Sequence, residues 1–315
     1  MLLDNEISVF KSNNSHTISI GVFDGMHKGH KYFLSKLLSE SKNSNTIPLV
    51  ITFKTHPQSI LSPNNEIKYI TSIDDRIQMI TDFGIKLVMP ITFDKHLSQL
   101  TGEEFLNKLK SNIKISSLLI GPDFSIGKNK DINNNNIKDL SHKLNFKIFN
   151  IQKIQENSEI IRSSNIRYLI SQGKVDIASK MLGYPFYIKG KVIKGQGRGK
   201  TLGYPTANIE IPENLIMPIN GIYATRVIID NNKYFGATSI GINPTFKESV
   251  KTLETYIMDF EGDIYNKNIY LEFICRIRDE MKFPSVKELT IQMNNDIKKI
   301  KNLLTSRQKD LKLIQ

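Results

Sequence analysis

Between residues 17 and 154, short β-branched runs alternate with segments of helical periodicity, and that alternation leaves few folds open to the chain. The runs are TISIGVF (17–23), IPLVITF (47–53), KLVMPIT (86–92), SSLLIGP (116–122) and FKIFNIQKI (146–154). Amphipathic stretches lie between them near 27–42, 73–83 and 101–111, the last opening with a capping box from Thr101 to Glu104. Strands alternating with helices predict a doubly wound parallel sheet. Ligands in such sheets bind outside the carboxyl ends of the strands, where GVFDGMHKGH (21–30), THPQ (55–58) and GPDFSIG (121–127) fall. The asparagine run Asn133 to Asn136 reads as a solvated loop.

A helical hairpin follows from about Asn165 to Leu182, broken at Gly173 and ended by Gly183 and Pro185. From Tyr187 to Ile277 the pattern becomes short strands and turns, with two of the strands joined across Asp230, Asn231 and Asn232. This predicts a small antiparallel barrel. Ser285 with Glu288 opens a last helix to about Leu304. Two domains of different class are expected, 1–183 and 184–315.

A length of 315 residues lets each domain bury its own core. The single cysteine, Cys275, excludes an intramolecular disulfide. The start MLLDNEIS has no signal-peptide character, and no stretch approaches the roughly 20 apolar residues of a membrane span. A cytoplasmic protein with no membrane partner is expected. The net charge of +12 would attract polyanions. It comes mostly from dispersed lysine without a dense block, so a compositional bias explains it at least as well, and no nucleic-acid partner is expected. Small anionic nucleotides need only a few of these charges.

The tract GVFDGMHKGH turns from an apolar strand through small residues into a helix start, with His27 and His30 three residues apart across Gly29. Such a turn aims backbone N–H groups and the positive end of a helix dipole at the crevice, which suits an anion such as a triphosphate. Two imidazoles there add donors; two histidines that merely cap a helix are the plainer reading. Further on, GKVIKGQGRGKTLGYPTANI (190–209) contains Gly199, Lys200 and Thr201, which mimic the end of a P-loop. The match fails because the first glycine of the motif would fall at Lys194, and Gly203 and Pro205 block the helix that should start at Thr201. What remains is a glycine-rich β-loop, followed by a rigid turn that presents a hydroxyl and an amide suited to Mg²⁺ and phosphate, or simply a surface turn.

These motifs, in this order and over nearly the whole chain, resemble those of the bacterial bifunctional riboflavin kinase/FAD synthetases. GVFDGMHKGH, TFKTHP (52–57), TSIDDR (71–76), GPDFSIG and RSSNIR (162–167) are similar to the FMN adenylyltransferase half. GRGKTLGYPTAN (197–208), GIYA (221–224), SIGINPTF (239–246) and LETYIMDFEGDIYN (253–266) are similar to the riboflavin kinase half. The resemblance implies a Rossmann-like nucleotidyltransferase domain, then a β-barrel kinase domain with a C-terminal helix. It implies phosphorylation of riboflavin by ATP to FMN, then adenylylation of FMN by ATP to FAD with release of pyrophosphate, with Mg²⁺ at both sites.

Carried over residue by residue, His27 and His30 stabilise charge on the ATP α-phosphate. Gly21, Phe23, Asp24, Gly25 and Gly29 shape the phosphate turn, and Ser163, Ser164 and Arg167 bracket the triphosphate. His56, Asp123 and Phe124 face nucleotide or flavin; for His56 a capping or packing role stands equally open. In the second half Gly197, Gly199 and Lys200 approach phosphate, Thr206 and Asn208 organise Mg²⁺-ATP with Asn208 also near the flavin, and Glu254 is the general base on the ribityl hydroxyl. From the residues alone Glu254 is one acid on a strand surface.

The chain departs from the family pattern at Thr55, where proline is usual, Arg162 (serine), Asn165 (arginine), Asp131 (glycine) and Asn266 (glycine). Two other readings exist. In one, only the kinase half works; in the other, a basic barrel uses Tyr223, Tyr234, Phe235 and Tyr256 as an oligonucleotide platform.

Overall fold

The first β-branched run forms the centre of a five-stranded sheet in a computed structural model of the chain, which describes residues 2–62, 66–152, 155–156, 159–195, 197–244 and 249–312. The chain divides into two compact units between Ser163 and Ser164. The first runs α1 (Leu2–Ser8), β1 (Ser12–Gly21), α2 (Lys28–Asn43), β2 (Ile47–Phe53), α3 (Pro57–Leu61), α4 (Ile73–Asp82), β3 (Leu87–Ile91), α5 (Gly102–Lys110) and β4 (Ile113–Ile120). It continues through β5 (Ser125–Ile126), β6 (Ile132–Asn133), α6 (Ile137–Lys143), β7 (Lys147–Asn150), β8 (Gln155–Glu156) and β9 (Glu159–Ile160).

The large sheet is parallel, in the order β3-β2-β1-β4-β7. Alternate residues enter opposite layers, which is why apolar residues follow one another along the runs, as Leu49, Val50 and Ile51 do in β2. Leu49, Ile51, Leu118 and Ile120 pack with Leu3, Ile7, Phe105 and Ile137 on one face. Val50, Val88 and Leu119 pack with Leu34, Leu37 and Ile80 on the other. Each side chain so buried contributes about 1.5–3 kcal/mol. The doubly wound expectation holds, and the strand order reverses direction at β1 and β4, whose carboxyl ends open a crevice.

Strand β1 stops at Gly21, two residues before the expected end, because Phe23 (φ 52°), Gly25 (φ 78°) and Met26 (φ 35°) take left-handed values. The asparagine run is a cross-linked turn rather than a freely solvated loop. Asn134 Nδ2 donates to the carbonyls of Gly121 (3.2 Å) and Pro122 (2.7 Å), and Asn136 Oδ1 accepts from Asn133 N–H at 2.8 Å. Asp131 accepts from the Gly102 N–H at 3.1 Å, placing a carboxylate at the start of α5. The capping box at Thr101 and Glu104 forms as expected.

Helix α7 (Ser163–Ser171) begins at the division and leads into the second unit. There follow α8 (Val175–Leu182), β10 (Tyr187–Ile193), α9 (Arg198–Thr201), β11 (Thr206–Ile209), β12 (Gly221–Ile229), β13 (Asn232–Pro244), β14 (Ser249–Ile257), β15 (Asn268–Arg278) and α10 (Val286–Lys312). Strands β10-β11-β14-β13-β12-β15 close into a barrel. The hairpin turn between β12 and β13 is made by Asp230 (φ 48°) and Asn231 (φ 68°), two residue types that tolerate this conformation.

Contacts group the α7–α8 hairpin with the barrel, whereas the change of sequence texture falls after it, near 183–186. Tyr223 is wholly buried against Phe273 (ring centroids 5.4 Å apart), so it is core and offers no stacking surface. Helix α10 is capped by Ser285, whose hydroxyl accepts from Glu288 N–H at 3.2 Å, and it runs past Leu304. Its Asp296 takes a bidentate pair from Arg278, with Nε donating to Oδ1 at 3.1 Å and Nη2 to Oδ2 at 2.7 Å.

Candidate active sites

His27 occupies the N-cap of α2 with extended backbone, and its Nδ1 accepts from the His30 N–H at 3.2 Å. In the neutral ring the proton is therefore on Nε2, a donor. The two imidazoles stack, centroids 3.6 Å apart and planes 16° off parallel, with the Phe23 ring edge-on to His30 at 5.3 Å. Burial holds His27 down to about 4, and it pushes His30 well below the ordinary histidine range, helped by the nearby charges of His27 and Arg76. His30 Nδ1 is buried without a hydrogen-bond partner among the described residues. The capping reading and the phosphate-donor reading are thus compatible, since the cap uses Nδ1 and leaves Nε2–H.

The turn is locked from behind. The Asp24 carboxylate accepts from the N–H groups of Ile70 (2.9 Å) and Thr71 (3.2 Å), and the Gly25 N–H donates to Thr71 Oγ1 at 3.1 Å. Asp24 is buried and does not line the crevice. Ser163 Oγ donates to the Asp24 carbonyl at 2.9 Å, tying the start of α7 to the turn. Arg76, from TSIDDR, is buried with Nη1 donating to the Phe53 carbonyl at 2.9 Å and its guanidinium over the Tyr69 ring. At Gly29 a Cβ would sit 3.1 Å from His27 Nδ1 and press on the ring, so glycine keeps the stack in place.

Two cavities open at this end of the sheet. One, about 350 Å³, is lined by both histidines, Gly29, Gly121, Arg162 and Ser163. The other, about 320 Å³, is mostly apolar, with Gly21, Phe53, Pro57, Phe93 and Phe105 in its walls. Ile20, Asp123 and Phe124 line both. His56 caps α3, its Nδ1 accepting from Gln58 N–H at 3.2 Å, and lines neither cavity. Ser164 and Arg167 lie on α7 within the second unit, and they are not among the lining residues. Phe53 and Phe93, in edge-to-face contact at 5.6 Å, were not singled out in the sequence, although ITF closes β2 and recurs at 91–93, across the end of β3.

In the barrel, strand pairing sets Asn208 of β11 opposite Glu254 of β14, and Thr206 Oγ1 donates to Glu254 Oε2 at 3.3 Å. The backbone at Gly195 comes so close to the Asn208 amide that any Cβ would overlap it. GRGKT makes one helical turn, α9, that ends at Thr201 rather than starting there; Gly197 (φ 70°) precedes it and Tyr204 N–H closes it on the Gly199 carbonyl at 2.9 Å. Lys200 is exposed on that turn. A cavity of about 500 Å³ adjoins, walled by Pro205, Thr206, Ala207, Ile257, Phe260 and Gly262. Asn266 (φ 64°) holds a left-handed position, which explains how asparagine stands where glycine is usual. Thr245 and Phe246 of SIGINPTF lie outside the described residues.

Comparison with known proteins matches each half separately. An FAD synthetase family model matches residues 9–165 and a riboflavin kinase model matches residues 182–304. The chain is 35% identical over 296 residues to the bifunctional riboflavin kinase/FMN adenylyltransferase of Buchnera aphidicola subsp. Schizaphis graminum, covering 92% of this chain and 95% of that protein. It is 32% identical to the protein of that name from Bacillus subtilis, covering 89% of each. A solved structure described as a macrolide-efflux protein from Streptococcus pneumoniae superposes with TM-score 0.85 at 28% identity, covering 96% of this chain and 98% of that one. Among the described residues no helix is long and apolar enough to cross a membrane.

Proposed function

The chain belongs to the bifunctional riboflavin kinase/FMN adenylyltransferases, and from that premise we propose how its side chains divide two reactions between two sites. It phosphorylates riboflavin with ATP to FMN, then adenylylates FMN with a second ATP to FAD and pyrophosphate.

The adenylyl transfer takes place at the stacked histidines. The attacking FMN phosphate is already ionised, so the step needs no base; it needs alignment and donors toward the charge gathering on the α-phosphate. A neutral His27 carrying Nε2–H meets that need, and His30 brings a ring whose Nδ1 has no partner among the described residues. Gly21 and Gly29 let the backbone approach, while Phe23, Asp24 and Gly25 act by holding the turn. Ser163 joins from the start of α7. The isoalloxazine ring lies in the apolar cavity against Phe53, Phe93 and Phe124. His56 shapes that wall through the α3 cap.

Phosphorylation of riboflavin takes place at Glu254. Here the nucleophile is an alcohol, and its proton needs an acceptor; Glu254 orients the ribityl hydroxyl and takes its proton late as the O–P bond forms and ADP leaves. Mg²⁺, when bound, neutralises phosphate charge. Thr206 and Asn208 would hold it, a sparse oxygen set suited to an ion that takes most ligands from phosphate and water. The close backbone at Gly195 is a cradle that a side chain would fill. Gly197, Gly199 and Lys200 carry the phosphates. Substrates are small molecules, and the single cysteine fits a cytoplasmic workplace.

The observation that carries this reading is a pair of neutral, stacked imidazoles in a cavity that shares a wall with an apolar one. Chromatography of flavins after incubation with riboflavin, ATP and Mg²⁺ tests it. His30→Ala is expected to stop at FMN, and Glu254→Ala to make no FMN yet convert supplied FMN to FAD. FAD formation at the wild-type rate by His30→Ala refutes the assignment.

A further inference from the structure

The histidine cavity has to receive a highly charged triphosphate, yet its imidazoles are neutral and supply donors without charge. Among the described residues that line it, one side chain carries a fixed positive charge, Arg162. Arg162 immediately precedes α7, and the adjoining Ser163 fixes that backbone to the phosphate turn by its bond to the Asp24 carbonyl.

Its guanidinium Nη2 lies 3.9 Å from Asp123 Oδ2, with the two side chains 50% and 67% exposed. An ion pair that long and that wet contributes little, so little is lost when it parts. Asp123 by itself faces both cavities and repels a polyanion. Arg162 offsets that charge at rest. Turned from the carboxylate, its planar fork of donors matches a phosphate better than any other described group in the wall.

We propose that Arg162 is a phosphate-binding residue of the adenylyltransferase site, exchanging Asp123 for the ATP phosphates that leave as pyrophosphate. The proposal rests on reading the histidine cavity as the ATP site. It gives a purpose to an arginine at a place where the family usually has serine, and it makes Asp123 a counter-ion that tunes ATP affinity.

The test is steady-state conversion of FMN to FAD by the full chain, with ATP and FMN varied in turn, for wild type, Arg162→Gln, Arg162→Lys, Asp123→Asn and His30→Ala. Arg162→Gln is expected to raise KM for ATP about tenfold or more, as loss of a charge-assisted hydrogen bond does, and to leave KM for FMN within about twofold. Arg162→Lys recovers part of the loss, and Asp123→Asn shifts KM for ATP the opposite way. Riboflavin kinase turnover, measured on the same preparations, stays at the wild-type level in the Arg162 variants. An unmoved KM for ATP in Arg162→Gln, an equal rise in KM for FMN, or a parallel fall in kinase turnover overturns the proposal. If His30→Ala also forms FAD normally, the ATP-site reading itself has failed; if it does not, Arg162 alone is wrong.

Discussion

Acid is expected to weaken the first unit through His27, whose burial sets the sign. The ring is 4% exposed and burial lowers it from 6.5 to about 4. As pH falls through 6.5 the unfolded chain takes up a proton that the folded ring refuses until about pH 4. The contribution is therefore complete above pH 6.5 and drains away between 6.5 and 4. The full difference is ~3 kcal/mol, of which ~2 kcal/mol is gone at pH 5. His27→Asn keeps an N-cap acceptor for the His30 amide but cannot titrate. The stability gap between wild type and variant should shrink by ~2 kcal/mol between pH 7 and pH 5. All six histidines lie at or before residue 142, so urea unfolding followed by histidine-ring NMR reports this unit alone. The same spectra should show one ring, absent in the variant, with a midpoint near 4. A midpoint near 6.5, or a gap that does not change with pH, would refute the reasoning.

Three further outcomes follow from the packing. Phe93→Ala should raise KM for FMN with little change for ATP, whereas Phe124→Ala, in the wall common to both cavities, should raise both; equal behaviour of the two variants in FMN-to-FAD kinetics would contradict the division. Gly29→Ala should cut FAD formation and spare FMN formation, because its methyl meets the His27 ring at 3.1 Å; flavin chromatography reads this directly. Asp296→Ala leaves Arg278, 17% exposed, without its bidentate partner, and should destabilise the second unit by about 3 kcal/mol, seen as a lower temperature of riboflavin kinase inactivation.

The doubly wound sheet was legible because both faces are covered, which places apolar residues at consecutive positions, as Leu49, Val50 and Ile51 in β2, and sets its strands off from the amphipathic helices. Helices α1, α3, α6 and α9 were not, because four to seven residues are too few to display a helical period. At the site, spacing alone picked out His27 and His30. The state of those rings was hidden, since it depends on burial and on Arg76, which arrives from a helix 46 residues further on than His30 and shows in the sequence only as one letter of TSIDDR. Glu254 could be distinguished from other strand acids only by resemblance. Its bond from Thr206 spans 48 residues, and barrel closure alone brings the two together. The asparagine run misled because composition reports solubility, while the Asn134 amide is spent on the carbonyls of the Gly121–Phe124 turn and the Asn136 amide on the Asp131 carbonyl.

On the proposed assignment of ATP to the histidine cavity and flavin to the aromatic one, the Gly121–Phe124 turn bears on how the two substrates sense each other. Phe124 and Asp123, with Ile20, present one side of a thin partition to the histidines and another to the aromatic cavity. A flavin that repacks the partition changes the chamber ATP enters, and ATP acts back on the flavin through the same atoms. Thermodynamic reciprocity then ties the two: whatever factor bound FMN applies to ATP affinity, bound ATP must apply to FMN affinity. Residues of the partition would thus set the strength of that coupling, apart from how well either ligand fits its own chamber.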